Sequence, residues 1–163
     1  MKDMKYTDVQ PGCTETELTF QDGSRRRVFY NEQEVPYPEG KLIVSRTDLT
    51  GIITHCNNSF VDMSAYSHEE LIGQAHHILR HPDMPSLAFA EMWSTIQAGQ
   101  KWSGYVKNLR KDGAYYWVYA TIIPNIRQGV ITGYTSVRRK PSRSKVNECV
   151  ALYKRLRLEE GKA

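Results

Sequence analysis

Cysteine is scarce in this chain of 163 residues: Cys13, Cys56 and Cys149 are odd in number and far apart. That excludes a disulfide framework and a paired-cysteine zinc knuckle, and it fits a reducing compartment. Long apolar runs are absent too, none approaching the roughly 18 residues of a membrane span. Met1 to Gln10 holds no apolar stretch to serve as a secretory signal. A cytoplasmic chain with no membrane span is the expectation. There is no G-x-G-x-x-G turn, phosphate loop or H-E-x-x-H string, which argues against dinucleotide-dependent catalysis, nucleotide hydrolysis and a histidine-metal site. No nucleophile–base–acid set stands out, so no enzymatic turnover is expected. Repeats and low-complexity tracts are missing as well.

Apolar residues make up 40% of the chain. That suffices for one core, so one domain of roughly 100 to 130 residues with flanking arms is expected. The net charge of +4 is uneven: Arg138 to Ala163 holds nine Lys/Arg and three Asp/Glu, whereas the remainder holds thirteen and fifteen. The body is near neutral and the tail basic. Arg25-Arg26-Arg27 and the Arg138 to Lys145 cluster raise a nucleic-acid reading, but the tail lacks a recognisable reading motif, so no nucleic-acid partner is expected.

Along the chain, Thr16 to Phe20 and Arg25 to Tyr30 read as a hairpin turned by Asp22-Gly23. Pro36, Pro38 and Gly40 break the chain after it. Leu42 to His55 reads as a second hairpin. Asn57-Asn58-Ser59 starts a helix, and Ser67 with Glu70 forms a capping box before a short second one. A loop spans Gln74 to Pro85. A longer helix covers Ser86 to Ala98, with Leu87, Phe89, Ala90, Trp93 and Ile96 on one face. Three strands follow: Trp102 to Arg110, Tyr115 to Pro124 and Val130 to Val137. Val146, Cys149, Val150, Tyr153 and Leu156 then mark a helix projecting from the body. Five strands with helices massed between them exclude a doubly wound parallel sheet. The fold class is α+β, one five-stranded antiparallel sheet with short helices packed on one face and a ligand pocket between.

The ordering, with Asn57 after the second strand of the domain and Gly113 in the later hairpin, resembles a PAS domain. The string Gly73-Gln74-Ala75-His76-His77-Ile78-Leu79-Arg80-His81-Pro82-Asp83-Met84-Pro85 is similar to the signature of bacterial aerotaxis receptors and related flavin-binding redox PAS sensors. So are Ala88 to Trp93, Trp102-Ser103-Gly104-Tyr105-Val106-Lys107-Asn108, Lys111-Asp112-Gly113 and Tyr116-Trp117-Val118. The resemblance spans about Tyr37 to Arg139. With the break at Pro36, Pro38 and Gly40 and the helical spacing of the tail, the expected organisation is an N-terminal arm at 1–36, a sensor domain at 37–141 and an amphipathic basic helix at 142–163. The resemblance implies non-covalent FAD, ahead of FMN and of a histidine-ligated haem, whose redox state is passed to a chemotaxis-type or other signalling module. By the same resemblance Arg80, His81 and Asp83 fall on the flavin-binding loop. Asn57, Trp93, Trp102 and Asn108 fall on cavity positions, and His76 on a further motif position. In light-sensing relatives a reactive cysteine stands where His76 is, so a thiol–flavin adduct there is excluded.

The residue chemistry agrees with these expectations and leaves alternatives. Trp102 and Asn108, six apart on one strand, share a face. Trp102 can cover ring surface, and Asn108 can donate to and accept from a ring edge. Arg80 has the fork suited to a pyrophosphate. Against this, Asn57 is also a helix cap, Trp93 and Trp102 are also core, and Arg80 with Asp83 is also a surface ion pair. The rival function is a ligand-free PAS interaction module whose pocket is filled by its own side chains. A homodimer through the arm or the last helix, with a signalling module in cis or trans, completes the expectations.

Overall fold

The computed structural model describes residues 1–161; Lys162 and Ala163, the end of the expected last helix, lie outside the described residues. The elements run β1 (Thr14–Thr19), β2 (Arg25–Tyr30), β3 (Ile43–Thr47), β4 (Ile53–Cys56), α1 (Asn58–Ser64), α2 (His68–Leu71), a 3-10 turn at His76–Leu79, α3 (Ser86–Gln97), β5 (Trp102–Leu109), β6 (Tyr115–Arg127), β7 (Val130–Arg139) and α4 (Arg143–Glu159). Strands β3 to β7 form one antiparallel sheet in the order β4-β3-β7-β6-β5. Strands β1 and β2 form a separate hairpin.

Local chemistry explains the boundaries. The Asn57 side chain accepts from the Phe60 amide and starts α1. Ser67 and Glu70 complete a reciprocal capping box on α2. Gly113, at φ +91°, turns β5 into β6. The central core packs Ile43, Ile53, Phe60, Leu71, Leu79, Tyr116 and Val118 between the sheet and α1, α2 and the 3-10 turn. A second cluster of Met4, Val28, Phe29 and Leu109 joins the hairpin to the end of β5. After the hairpin, the Val35 amide donates to Tyr115 and the Tyr115 amide to Gln33, adding this stretch beside the start of β6.

Three expectations need correction. The last helix does not project from the body: Val146 is buried, the Tyr153 hydroxyl donates to the Tyr105 carbonyl at 2.7 Å, and the Tyr153 ring stacks on Trp117. Its apolar stripe has a partner in the outer side of β5 and β6. The last strand runs to Arg139, two residues past Val137, and so carries Arg138 into the sheet. On α3, Leu87 is exposed and does not share the face of Phe89, Trp93 and Ile96. Two residues are about 200° of helix rotation, which sets Leu87 nearly opposite Phe89.

Candidate functional site

A cleft lies between the sheet and a cover made of α3 and the 76–80 segment. The cover contributes Leu79, Phe89, Met92, Trp93 and Ile96; the sheet contributes Val106, Ala120 and Ile122. These walls are apolar. Tyr134, Ser136 and Arg138 alternate along β7, so the two-residue period sends all three to the cleft. Trp93 meets Tyr134 edge-on at 5.7 Å. Gly51 sits where a Cβ would come 3.1 Å from the Trp93 ring and where φ is +88°, so glycine satisfies both backbone and space.

The polar end is built on Arg138, which is 3% exposed. Its Nη2 donates to the Ser45 hydroxyl at 3.0 Å and lies 2.7 Å from His76 Nε2, and its guanidinium covers the Phe60 ring at 5.0 Å. An arginine can only donate, so His76 accepts at Nε2 and carries its proton on Nδ1. Burial, and then the Arg138 charge, push the His76 pKa down to about 3. Burial likewise pushes Arg138 down to about 10, a value at which it remains a cation at neutral pH. Among the described residues no carboxylate pairs with it, and Nη1 is buried without a hydrogen-bond partner, as is the Ser136 hydroxyl. Buried donors without partners are costly in a folded protein, so these two atoms, like Arg80 Nε, are where an acceptor from water or a ligand would be stabilising.

Of the eight residues singled out in the sequence, His76, Arg80, Trp93 and Asn108 line the cleft together. Arg80 stands over Phe89 at 4.8 Å and donates to the Ser86 hydroxyl at 3.0 Å, while its Nε is buried without a partner. The backbone at Arg80 bridges to Asn108. The other four stand elsewhere. Asn57 caps α1, accepts from the Val44 amide and donates to the Leu42 carbonyl. Trp102 folds over Gly104, where a Cβ would come 2.5 Å from the ring. His81 is buried with Nδ1 accepting from the Asp83 amide, between Tyr30 and Tyr115. Burial, with nearby Lys107, pushes it down to about 3.

Asp83 faces the other way, toward Lys107 at 2.7 Å and Arg157 of α4 at 3.2 Å. Burial raises its pKa, but the Lys107 hydrogen bond and the surrounding positive groups outweigh this and hold it low. Residues missed in the sequence are Arg138, Ser136 and Ser45. The signal for Arg138 was present: it continues the alternation of Tyr134 and Ser136, but ending the strand at Val137 consigned it to the basic tail.

A family model described as PAS fold matches residues 53–138. The chain belongs to the PAS fold family. It is 44% identical over 128 residues to the aerotaxis receptor of Escherichia coli (strain K12), covering 78% of this chain and 25% of the receptor. It is 31% identical over 102 residues to the nitrogen fixation regulatory protein of Klebsiella pneumoniae, covering 62% of this chain and 21% of that protein. The chain thus spans a quarter or less of these relatives. Among solved structures, the PAS domain of a protein from Colwellia psychrerythraea superposes with a TM-score of 0.57 at 27% identity, covering 61% of this chain and 86% of that one. A light-oxygen-voltage domain studied with a flavin analogue superposes with a TM-score of 0.59 at 20% identity, covering 68% and 83%, a likeness of fold alone. The PAS domain described here is therefore related to receptor and regulatory proteins. No helix among the described residues is long and apolar enough to cross a membrane.

Proposed function

We propose that this PAS domain is a redox sensor that holds FAD non-covalently in the cleft and relays the flavin's state to α4. The observation that carries the reading is the donor set at the polar end. Arg138 Nη1 and the Ser136 hydroxyl are buried without partners, Ser45 and His76 adjoin Arg138, Asn108 lines the same cleft, and the facing walls are largely apolar. An isoalloxazine matches this pattern, with apolar faces and a row of hydrogen-bonding atoms on one edge. When bound, a flavin supplies reversible electron transfer, and its reduced ring carries more negative charge.

The residues have distinct parts in this reading. Arg138 donates to the ring edge and, being a cation without a carboxylate partner, favours the more negative form. His76 cannot compete for that charge, because it is neutral and accepts from Arg138. Arg80, which lines the cleft and whose Nε is buried without a partner, meets the phosphates. Trp93 and Phe89 cover the ring. Asn57, Trp102, His81 and Asp83 act indirectly, by fixing α1, β5 and the loop.

The relay starts from the size of the cleft. Its open volume is about 160 Å³, whereas pockets for ligands of drug size usually hold ~300 Å³ or more. Admission of three fused rings therefore shifts the cover, and α4 with its C-cap holds α3 directly and the end of the 76–83 loop through Asp83. Arg157 pairs with Asp83, and the Glu160 carboxylate accepts from the Ser86 and Leu87 amides at 3.1 and 2.9 Å. Glu160 thereby caps α3, whose own N-cap, Pro85, offers no side chain for the task. Coupling of about 1 to 3 kcal/mol is typical between such sites.

The test is amide exchange along Cys149 to Leu158 with FAD bound, oxidised and then chemically reduced. A redox-dependent change that Glu160→Ala abolishes supports the relay. Identical exchange in both redox states, with flavin present, refutes it.

A further inference from the structure

Arg25, Arg26 and Arg27 read in sequence as one basic patch, but the period of a strand divides them. Arg25 pairs with Glu17 at 3.4 Å and Arg27 with Glu15 at 3.6 Å on the exposed face of the hairpin. Arg26 points inward and is 3% exposed. Its Nε donates to the Lys2 carbonyl at 2.9 Å, Nη1 to the Ile78 carbonyl at 2.8 Å and Nη2 to the Tyr66 hydroxyl at 3.1 Å. A buried guanidinium persists where fixed dipoles replace its water, and here they come from three separate segments. One of them is the loop that lines the cleft.

Two rings of the hairpin meet the same loop. Phe20 stacks on His77 with centroids 4.1 Å apart and planes 13° from parallel, and Tyr30 meets His81 edge-on at 5.5 Å. The hairpin therefore backs the loop at 77, 78 and 81, while His76, His77, Leu79 and Arg80 line the cleft, so His77 has contacts on both sides. The loop has little to hold it from within. Its regular structure is one 3-10 turn, with the Ile78 amide donating to Ala75 and the Arg80 amide to His77, and such turns are weak alone. Within the domain, β5 holds it through the Arg80 bridge to Asn108 and the Asp83 pair with Lys107; the hairpin adds a second hold from beyond the 53–138 stretch matched by the PAS family.

We propose that the N-terminal hairpin is a clamp that fixes the 76–83 loop against the cleft, with Arg26 as the positioning residue. The clamp slows the departure of a bound flavin, a consequence that rests on the function proposed above.

Amide exchange of the full chain without flavin tests the clamp first. Arg26→Met raises exchange at Ile78, Arg80 and Asp83 by at least about tenfold, the scale of one charge-assisted hydrogen bond, while Tyr116 to Ala120 of β6 keep their rates. Arg26→Lys, which retains the charge but not the fork, gives a smaller rise. Phe20→Ala keeps all three Arg26 bonds and loosens the loop near His77, so the clamp is testable even where Arg26→Met does not fold. Unchanged loop exchange in Phe20→Ala and Arg26→Lys overturns the proposal. So does an equal rise in loop and β6, which marks a general loss of stability. With FAD loaded, the flavin dissociation rate rises in the same order as loop exchange. If the loop loosens as described but the parent chain takes up no flavin, the clamp stands and the flavin function falls.

Discussion

Lowering the pH from about 7.5 to about 5.0 destabilises the fold by a calculable amount through His76. In the folded chain this ring is buried, lies 2.7 Å from the Arg138 guanidinium and has a pKa pushed down to about 3. Unfolded, it titrates at its ordinary value of 6.5. The unfolded chain therefore binds the extra proton at pH 5 and the folded chain does not, so stability falls as pH falls. The depressed value gives a window from about 6.5 down to about 3, and the loss by pH 5 is about 2 kcal/mol for this residue. The groups in contact with His76 are Ser45, Phe60 and Arg138, none of which changes charge in that window; the neighbouring His77 also acts on it through its charge and is present in parent and variant alike. Urea unfolding of the parent and of His76→Gln at both pH values is the assay. Glutamine can still accept from Arg138 but cannot be protonated there. The parent loses about 2 kcal/mol more than the variant, and His81, present in both, cancels from the difference. Equal losses in the two proteins refute the assignment of a neutral, accepting His76.

Asn57→Ala costs about 1 kcal/mol of stability through the lost α1 cap, with flavin affinity unchanged; a selective loss of affinity in a stable variant would return Asn57 to the cleft. Glu160→Ala removes the carboxylate that caps α3 and costs about 0.5 to 2 kcal/mol by urea unfolding, with faster amide exchange at Ser86 and Leu87. An unchanged rate at those two amides would contradict the cap. Gly51→Ala combines a left-handed backbone with a Cβ 3.1 Å from Trp93, and it lowers stability by at least about 1 kcal/mol. A neutral result in the same unfolding measurement would show that this approach is not tight.

Much of the architecture was legible because it rests on short-range signals. The Asp22-Gly23 and Asp112-Gly113 turns, the Ser67 to Glu70 box and the Asn57 cap each involve residues within a few positions of one another, and all are where the sequence set them. The cleft was partly legible: His76, Arg80, Trp93 and Asn108, each singled out in the sequence, all line it. What escaped depends on contacts between distant segments. Arg138 meets Ser45, 93 positions away, and nothing local distinguishes an arginine ending a strand from one opening a basic tail. Arg26 looked like its exposed neighbours until the strand period and the Ile78 carbonyl separated it. The docking of α4 depends on Asp83 and on the α3 amides, some 74 positions distant, so its amphipathic pattern alone read as a free helix.

The central claim is that the cleft beneath α3 takes a flavin through Arg138, and titration of the full chain with FAD, followed by flavin fluorescence and visible absorbance, tests it most directly. Saturable binding at one flavin per chain, weakened by at least about tenfold in Arg138→Met while the variant stays folded, is the predicted result. A folded parent chain that leaves FAD free in solution, or an Arg138→Met variant that binds it as tightly as the parent, would contradict the account.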